Sequence, residues 1–268
     1  MVLDSSYRYS IEYVALLATT GALLIAAIVT GAVSVCLAPA IILAVFIISY
    51  LVNKSHHQSL LSEAKMVTPQ TFPGLSQNMA VCTRLFNLKD VDVFIVPSRE
   101  RNAYTFGIDK QVIVVYSSLL KLMDEDEIRF VLGHESGHIA LSHTFLNTII
   151  GGMGGIPQPF GLAVILNLIF QWWSRCCEYS CDRAGLIACG NLEKSISSLV
   201  KLATGGIRSK QQFDKAYRAI DAEDDSLAGL AGEAFASHPM IIRRINELQK
   251  FASSADYKNI LSRIQVNG

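Results

Sequence analysis

The sequence predicts a mainly α-helical domain with a small β-sheet, carried behind an N-terminal helical hairpin suited to a bilayer. Three observations predict it. Residues 13–53 contain no charged side chain, which is about the length of two spans of some 20 residues each. Two short β-branched runs follow in the middle of the chain. A longer segment from Asp124 onward opens with acidic residues and continues with apolar positions at helical spacing.

The hairpin comes first. "YVALLATTGALLIAAIVTGAVSVCLAPAIILAVFIISYLVN" turns most cheaply near Gly31 to Pro39, where Gly, Ser and Pro gather. A cleaved leader has an apolar core of about 7 to 15 residues, much shorter than this run, so a retained anchor over residues 1–55 is expected. Arg8 precedes the run, and Lys54 and Lys65 follow it. The turn carries no positive charge, which predicts that both ends face the cytoplasm. With 51% hydrophobic and 17% charged residues, the chain is too apolar for an ordinary soluble enzyme. Lys+Arg and Asp+Glu both total 23, so no net charge points to nucleic acid.

"TPQTFPG" at 68–74 reads as a linker or loop. "VDVFIVPS" (91–98) and "QVIVVYSS" (111–118) read as strands, and "NAYTFGIDK" between them as a turn or an extended edge. "DEDEIRFVLGHESGHIALSH" reads as a helix, because an acidic first turn suits the positive end of the helix dipole. The six cysteines show no framework spacing, so reduced thiols are expected. A second uncharged run lies between His143 and Arg175, interrupted by "GGMGGIPQP". At 31 residues it is too short for two ordinary spans.

The chemistry is concentrated in "HESGH". On a helix, His134 and His138 lie one turn apart, about 40° around the axis, so both imidazoles can reach one metal ion. Glu135 stands beside them, where it can take a proton from a metal-bound water. Catalytic zinc generally has three protein ligands and one open position, so a third ligand is required. His143, nine positions after His134, falls on the far face of a continuous helix and cannot join without a break in it. The metzincin pattern fails too, because residues 141 and 144 are Leu141 and Thr144, not Gly and His. "SRCCEYSCDRAG" (174–185) supplies a better candidate: Glu178 and Asp182 are four apart, so one can bind metal while the other orients a histidine through its free ring nitrogen. A solvated helix face with Arg175 and Arg183 as ion-pair partners is the plainer reading of that pair. A zinc site of Cys176, Cys177 and Cys181 lacks a partner pair at finger-like spacing.

Taken in order, "VFIVPSRERNAYTFG", the strand-and-helix stretch ending "HESGHIALSH", "SRCCEYSCDRAG" and "SHPMIIRRI" resemble the HtpX-like membrane zinc endopeptidases, relatives of the CAAX prenyl proteases. The resemblance runs from about residue 90 to 250, with Asn102-Ala103-Tyr104 similar to the family's Asn-Ala-Phe stretch. It implies an α+β zincin-like domain over 56–268, with one Zn2+ held by His134, His138 and Glu178, Glu135 as general base, and Asp182 orienting a ligand. His238 matches a histidine that the family can bring near the metal. It would bond a developing oxyanion, gate the water position or cap a helix at Pro239. Arg244 matches the arginine that follows, as a site residue or an ion-pair partner. Ser136 and Cys181 depart from the family's usual leucine and alanine, and neither removes a ligand.

Because His138 and Glu178 must touch one ion, the segment between them cannot cross a bilayer an odd number of times unless the helices themselves meet at the membrane. A membrane-dipping or buried insert at about 144–174 is therefore expected. The resemblance implies hydrolysis of unfolded or damaged membrane proteins in a quality-control role, and polypeptides and lipid are the expected partners, with no nucleic acid. The resemblance favours a bacterial inner membrane with the domain on the cytoplasmic side. A dedicated protease for one tail and a noncatalytic zinc-stabilised scaffold stay open. The strand at 111–116, through Ile113 and Val115, is the expected edge for pairing with an extended substrate.

Overall fold

The computed structural model describes residues 5–33, 61–107, 110–144, 161–204 and 241–267, with four isolated positions at 44, 47, 51 and 55. It is mostly helical, with a small mixed sheet, as the sequence predicts. The helices are α1 (Glu12–Val33), α2 (Pro73–Phe86), α3 (Ser117–Leu122), α4 (Glu125–Ala140), α5 (Gly161–Cys189), α6 (Leu192–Thr204), α7 (Ile241–Ser253) and α8 (Ala255–Asn267). The strands are β1 (Lys65–Met66), β2 (Val91–Val96), β3 (Ala103–Phe106) and β4 (Gln111–Tyr116), in spatial order β1-β2-β4-β3.

Both strands expected from the β-branched runs are present. β2 and β4 pair in parallel, Val91 opposite Gln111 through Val96 opposite Tyr116. β3 folds back antiparallel on the other side of β4, Ala103 opposite Val115. This arrangement corrects the expectation for Ile113 and Val115. Both are 0% exposed in the middle of the sheet, so β4 cannot accept a further strand. The reason is the pairing: β2 and β3 occupy the two hydrogen-bonding edges of β4, whereas the all-apolar "VIVV" marks only a strand covered on both faces. Among the described residues the outer strand on that side of β4 is β3, the extended edge that "NAYTFGIDK" allowed.

One face of the sheet, through Val93, Ile95, Ile113 and Val115, joins the main core with α2, α4, α5, α6 and α7. Val112 and Val114 face a smaller cluster that includes Tyr104, Phe106 and Tyr116. The stretch "TPQTFPG" divides at Pro73. Thr68 and Thr71 exchange hydrogen bonds in a turn, and Pro73 then opens α2, where its missing N–H costs nothing.

α1 packs on α5 through Ala15, Trp173, Cys176 and Cys177. Its other face leaves Tyr13, Val14, Leu17, Leu24 and Ile25 exposed. Among the described residues no helix is long and apolar enough to cross a membrane, and the side chains of α1 are described only at 12–25 and 28. Of the expected turn, Gly31 to Val33 are still part of α1; the rest of it and nearly all of the second half of the uncharged run lie outside the described residues. The same holds for 145–160 of the second run. Its remainder is the first half of α5, which continues unbroken through Arg175 to Glu178 and Asp182.

Candidate metal centre

The site begins with the way α4 starts. Asp124 caps the helix by accepting from the Glu127 N–H at 3.0 Å, and Glu127 accepts from the Asp124 N–H at 2.8 Å. This reciprocal box fixes the first turn. Lys201 of α6 binds Glu127 at 2.6 Å and holds the same end against the core. Two turns on, His134 and His138 present their rings on one face, with centroids 5.1 Å apart.

α5 lies unusually close to that face. An added Cβ at Gly133 would meet the Ala188 Cβ at 2.5 Å, and one at Gly137 the Ala184 Cβ at 2.8 Å. The glycines just before each histidine therefore set the distance between the helices. That seam brings Glu178 of α5 between the rings: its carboxylate oxygens stand 3.6 Å from His134 Nε2 and 3.5 Å from His138 Nε2. These separations are long for N–H···O hydrogen bonds. They are close to the roughly 3.3 Å between two ligands on one tetrahedral zinc with bonds near 2.0 to 2.1 Å. Ligand atoms of the three residues all lie within 4.8 Å of one another. By donor type, spacing and burial, the set fits a zinc ion.

The back of the set is held as well. His134 Nδ1 is 3.0 Å from Asp182 Oδ1. Arg244 of α7 donates to both oxygens of Asp182, at 2.8 and 2.6 Å, and its third nitrogen lies 3.1 Å from Glu178. Burial alone would raise the Asp182 carboxyl, but the Arg244 guanidinium and the bond to His134 hold it below the usual range. Asp182 is thus ionised and able to accept the proton of His134 Nδ1. Arg244, an ion-pair partner in this arrangement, also lines the cleft.

Glu135 points into the same cleft, where Thr105 of β3 donates to its Oε2 at 2.6 Å. The cleft, about 520 Å³, is lined by Asn102 to Thr105 on one side and by His134, Glu135, His138, Glu178 and Arg244 on the other. His238 lies outside the described residues. Ile113 and Val115 do not line it.

Three contributors escape a reading of the sequence. Thr105 stands in the extended edge, but nothing in its surroundings marks it. The glycines of "GHESGH" are visible, but their meaning depends on α5. His143 was placed on the far face by extending α4, and α4 in fact ends at Ala140. Ser142 takes a left-handed conformation, φ 61°, and turns His143 back until its Nδ1 is 3.2 Å from His138 Nδ1. Burial pushes the His143 pKa down to about 4, which keeps the ring neutral. Cys82, Cys176, Cys177, Cys181 and Cys189 are free and buried, as reduced thiols should be. Among the described residues no metal-capable cluster joins Cys176, Cys177 and Cys181.

The matches of sequence and fold fall in one class, the metallopeptidases. The sequence profile of peptidase family M48 matches residues 69–252, more than half of the chain, and the protein belongs to that family. The resemblance to the HtpX-like peptidases holds. Protease HtpX of Acinetobacter baylyi is 26% identical over 214 residues, 66% of this chain and 70% of the relative. The plastoglobule-localized metallopeptidase 48 of Arabidopsis thaliana is 30% identical over 215 residues, 74% of this chain. The chain spans 62% of that relative's length. The crystal structure of S. mikatae Ste24p shares the fold, with a TM-score of 0.50 at 17% identity, over 89% of this chain and 64% of that one.

Proposed function

We propose that the protein is a membrane-anchored zinc endopeptidase that hydrolyses unfolded or damaged polypeptides. One Zn2+ is held by His134, His138 and Glu178, with Glu135 as general base. The observation that carries this reading is the convergence of both Nε2 atoms and the Glu178 carboxylate on one point of a cleft that Glu135 also faces. A structural site has no need of that fourth group. When bound, the zinc polarises the scissile carbonyl and the attacking water. Glu135 takes the water's proton and passes it to the leaving amine, and no covalent intermediate forms. Thr105 holds one carboxylate oxygen and so aims the other. Asp182, charged and gripped by Arg244, fixes the ring of His134. An extended peptide is placed along β3, the outer strand that lines the cleft.

The proposal divides the chain into an anchor at 1–55, whose first residues pack on the domain, and a peptidase domain at 56–268. Arg8 donates to the Leu141 carbonyl at the end of α4, and Lys65 pairs into the sheet opposite Ile95. Both flanks of the uncharged run are therefore fastened to one domain, and a run that leaves and returns crosses a bilayer an even number of times. The exposed apolar face of α1 suits lipid, and the positive flanks suit the cytoplasmic side of a bacterial inner membrane.

The test is casein cleavage by detergent-purified protein with bound metal measured in parallel. Wild type is expected to cleave at many sites. Glu135→Gln is expected to keep its zinc and to lose cleavage by about 100-fold or more. A wild type that binds zinc and cleaves neither casein nor any tailed peptide would overturn the catalytic reading. Cleavage confined to one tail would replace the quality-control role with dedicated processing.

A further inference from the structure

The two histidines of the centre are each held from behind, and the second holder comes from the far end of the chain. His143 Nδ1 lies 3.2 Å from His138 Nδ1, and His143 Nε2 lies 2.8 Å from Glu12 Oε1. Glu12, at the first position of α1, is 0% exposed. Its carboxylate also accepts from Arg8 at 2.6 Å and from the hydroxyl of Ser180, and Ser180 in turn accepts from the Tyr9 N–H at 2.9 Å. With a metal on His138 Nε2, one placement of the ring protons satisfies both histidines. A neutral histidine that binds metal through Nε2 carries its proton on Nδ1, so His138 Nδ1–H donates to His143 Nδ1. His143 must then be protonated on Nε2, and that N–H donates to Glu12.

From this we infer that Glu12, acting through His143, fixes the tautomer and ring plane of His138, which makes the first turn of the N-terminal helix a working part of the metal centre. His143 and Glu12 are positioning residues, the counterpart on His138 of what Asp182 is for His134. The inference rests on the reading of His138 as a zinc ligand. It also connects the apolar helix proposed to lie in the bilayer with the centre: α1 cannot shift against α5 without moving Glu12, and with it the partner of His138.

A rival use of the same groups is a second metal ion, held by Glu12, His143 and Cys177 or by His138, His143 and Cys181, whose ligand atoms are mutually close. The contacts favour the hydrogen-bonded arm. At 2.8 Å, Glu12 and His143 are closer than the roughly 3.3 Å between ligands sharing a tetrahedral ion. An ion on His138, His143 and Cys181 would have to bind His138 through Nδ1, the nitrogen that keeps its proton when Nε2 holds the first ion.

The test uses the full chain in detergent, with zinc retention against a chelator and the visible spectrum of the Co2+-substituted protein as readouts. Glu12→Gln keeps the shape and removes the charge, and His143→Phe removes the arm. Both are expected to retain zinc about 10- to 100-fold more weakly than wild type and to shift the Co2+ spectrum. The double variant should be no weaker than His143→Phe alone, because both changes cut one arm. Folded single variants with wild-type retention and spectrum would overturn the inference. So would a second equivalent of zinc lost with His143→Phe. If His143→Phe does not fold, Glu12→Gln carries the same comparison. His138→Ala separates the two levels: if it loses zinc while Glu12→Gln does not, the zinc reading stands and the arm falls, and a wild type without zinc removes both.

Discussion

Arg244 grips Asp182 with two hydrogen bonds, 2.8 and 2.6 Å long, and reaches Glu178 with its remaining nitrogen at 3.1 Å. One side chain of α7 thus ties down the carboxylate behind His134 and the carboxylate between the two rings. All three groups are nearly inaccessible. A cation so placed neutralises charges that the core would otherwise have to bear alone.

Removing one partner of such a buried set costs about 3 to 5 kcal/mol, because the other charges stay behind. Metal-free Arg244→Leu is therefore expected to lose stability of that order in urea unfolding at pH 7. Arg244→Lys should fall between, since a point charge cannot replace the two-pronged contact. The pH dependence has a definite sign. Arg244 holds the folded Asp182 below its unfolded value, so the stabilisation is complete above about pH 4 and fades as pH falls through the folded pKa. The gap between wild type and Arg244→Leu should shrink in acid. A gap that widens below pH 4 would mean that Asp182 does not depend on Arg244.

How far the sequence could be read depended on whether an interaction stays within one element. The spacings of His134 with His138 and of Glu178 with Asp182 are properties of a helix, so their common faces could be read directly. The capping box at Asp124 and Glu127 is equally local. β4 was identified, but its position in the sheet depends on what β2 and β3 do, and Ile113 and Val115 were assigned to an edge for that reason. His143 was misplaced because helix rotation was carried past Ala140, where the left-handed Ser142 ends it. Glu12 reads as a lone acid beside an apolar run. Only the packing of α1 on α5 brings it to His143.

The seam of α4 on α5 gives a second expectation. A Cβ at Gly137 would stand 2.8 Å from the Ala184 Cβ and 3.2 Å from the Cys181 Cα. Neither atom can swing aside, so the helices must separate. Overpacking of this kind costs about 1 to 3 kcal/mol, and here it also draws Glu178 away from the rings. Gly137→Ala is expected to lower both thermal stability and zinc retention. Gly137→Ala with Ala184→Gly should recover much of each, because the bulk has only changed sides. Failure of the double variant to recover zinc retention, measured by competition with a chelator, would show that the spacing is set elsewhere.

The contact of Thr105 with Glu135 separates chemistry from binding. Thr105 donates to Glu135 Oε2 at 2.6 Å from β3, and no residue of the ligand set depends on it. A hydrogen bond to a charged group contributes about 1.5 to 3 kcal/mol, which corresponds to roughly a 10- to 100-fold effect if it serves only to aim the base. Thr105→Val keeps the shape of the side chain and removes the hydroxyl. It should lower kcat by that factor while zinc content stays at wild-type level and KM changes little. Thr105→Ser should restore most of the rate. If Thr105→Val instead raised KM at constant kcat, the hydroxyl would be acting on the substrate's backbone along β3, and Glu135 would be aimed by the helix alone.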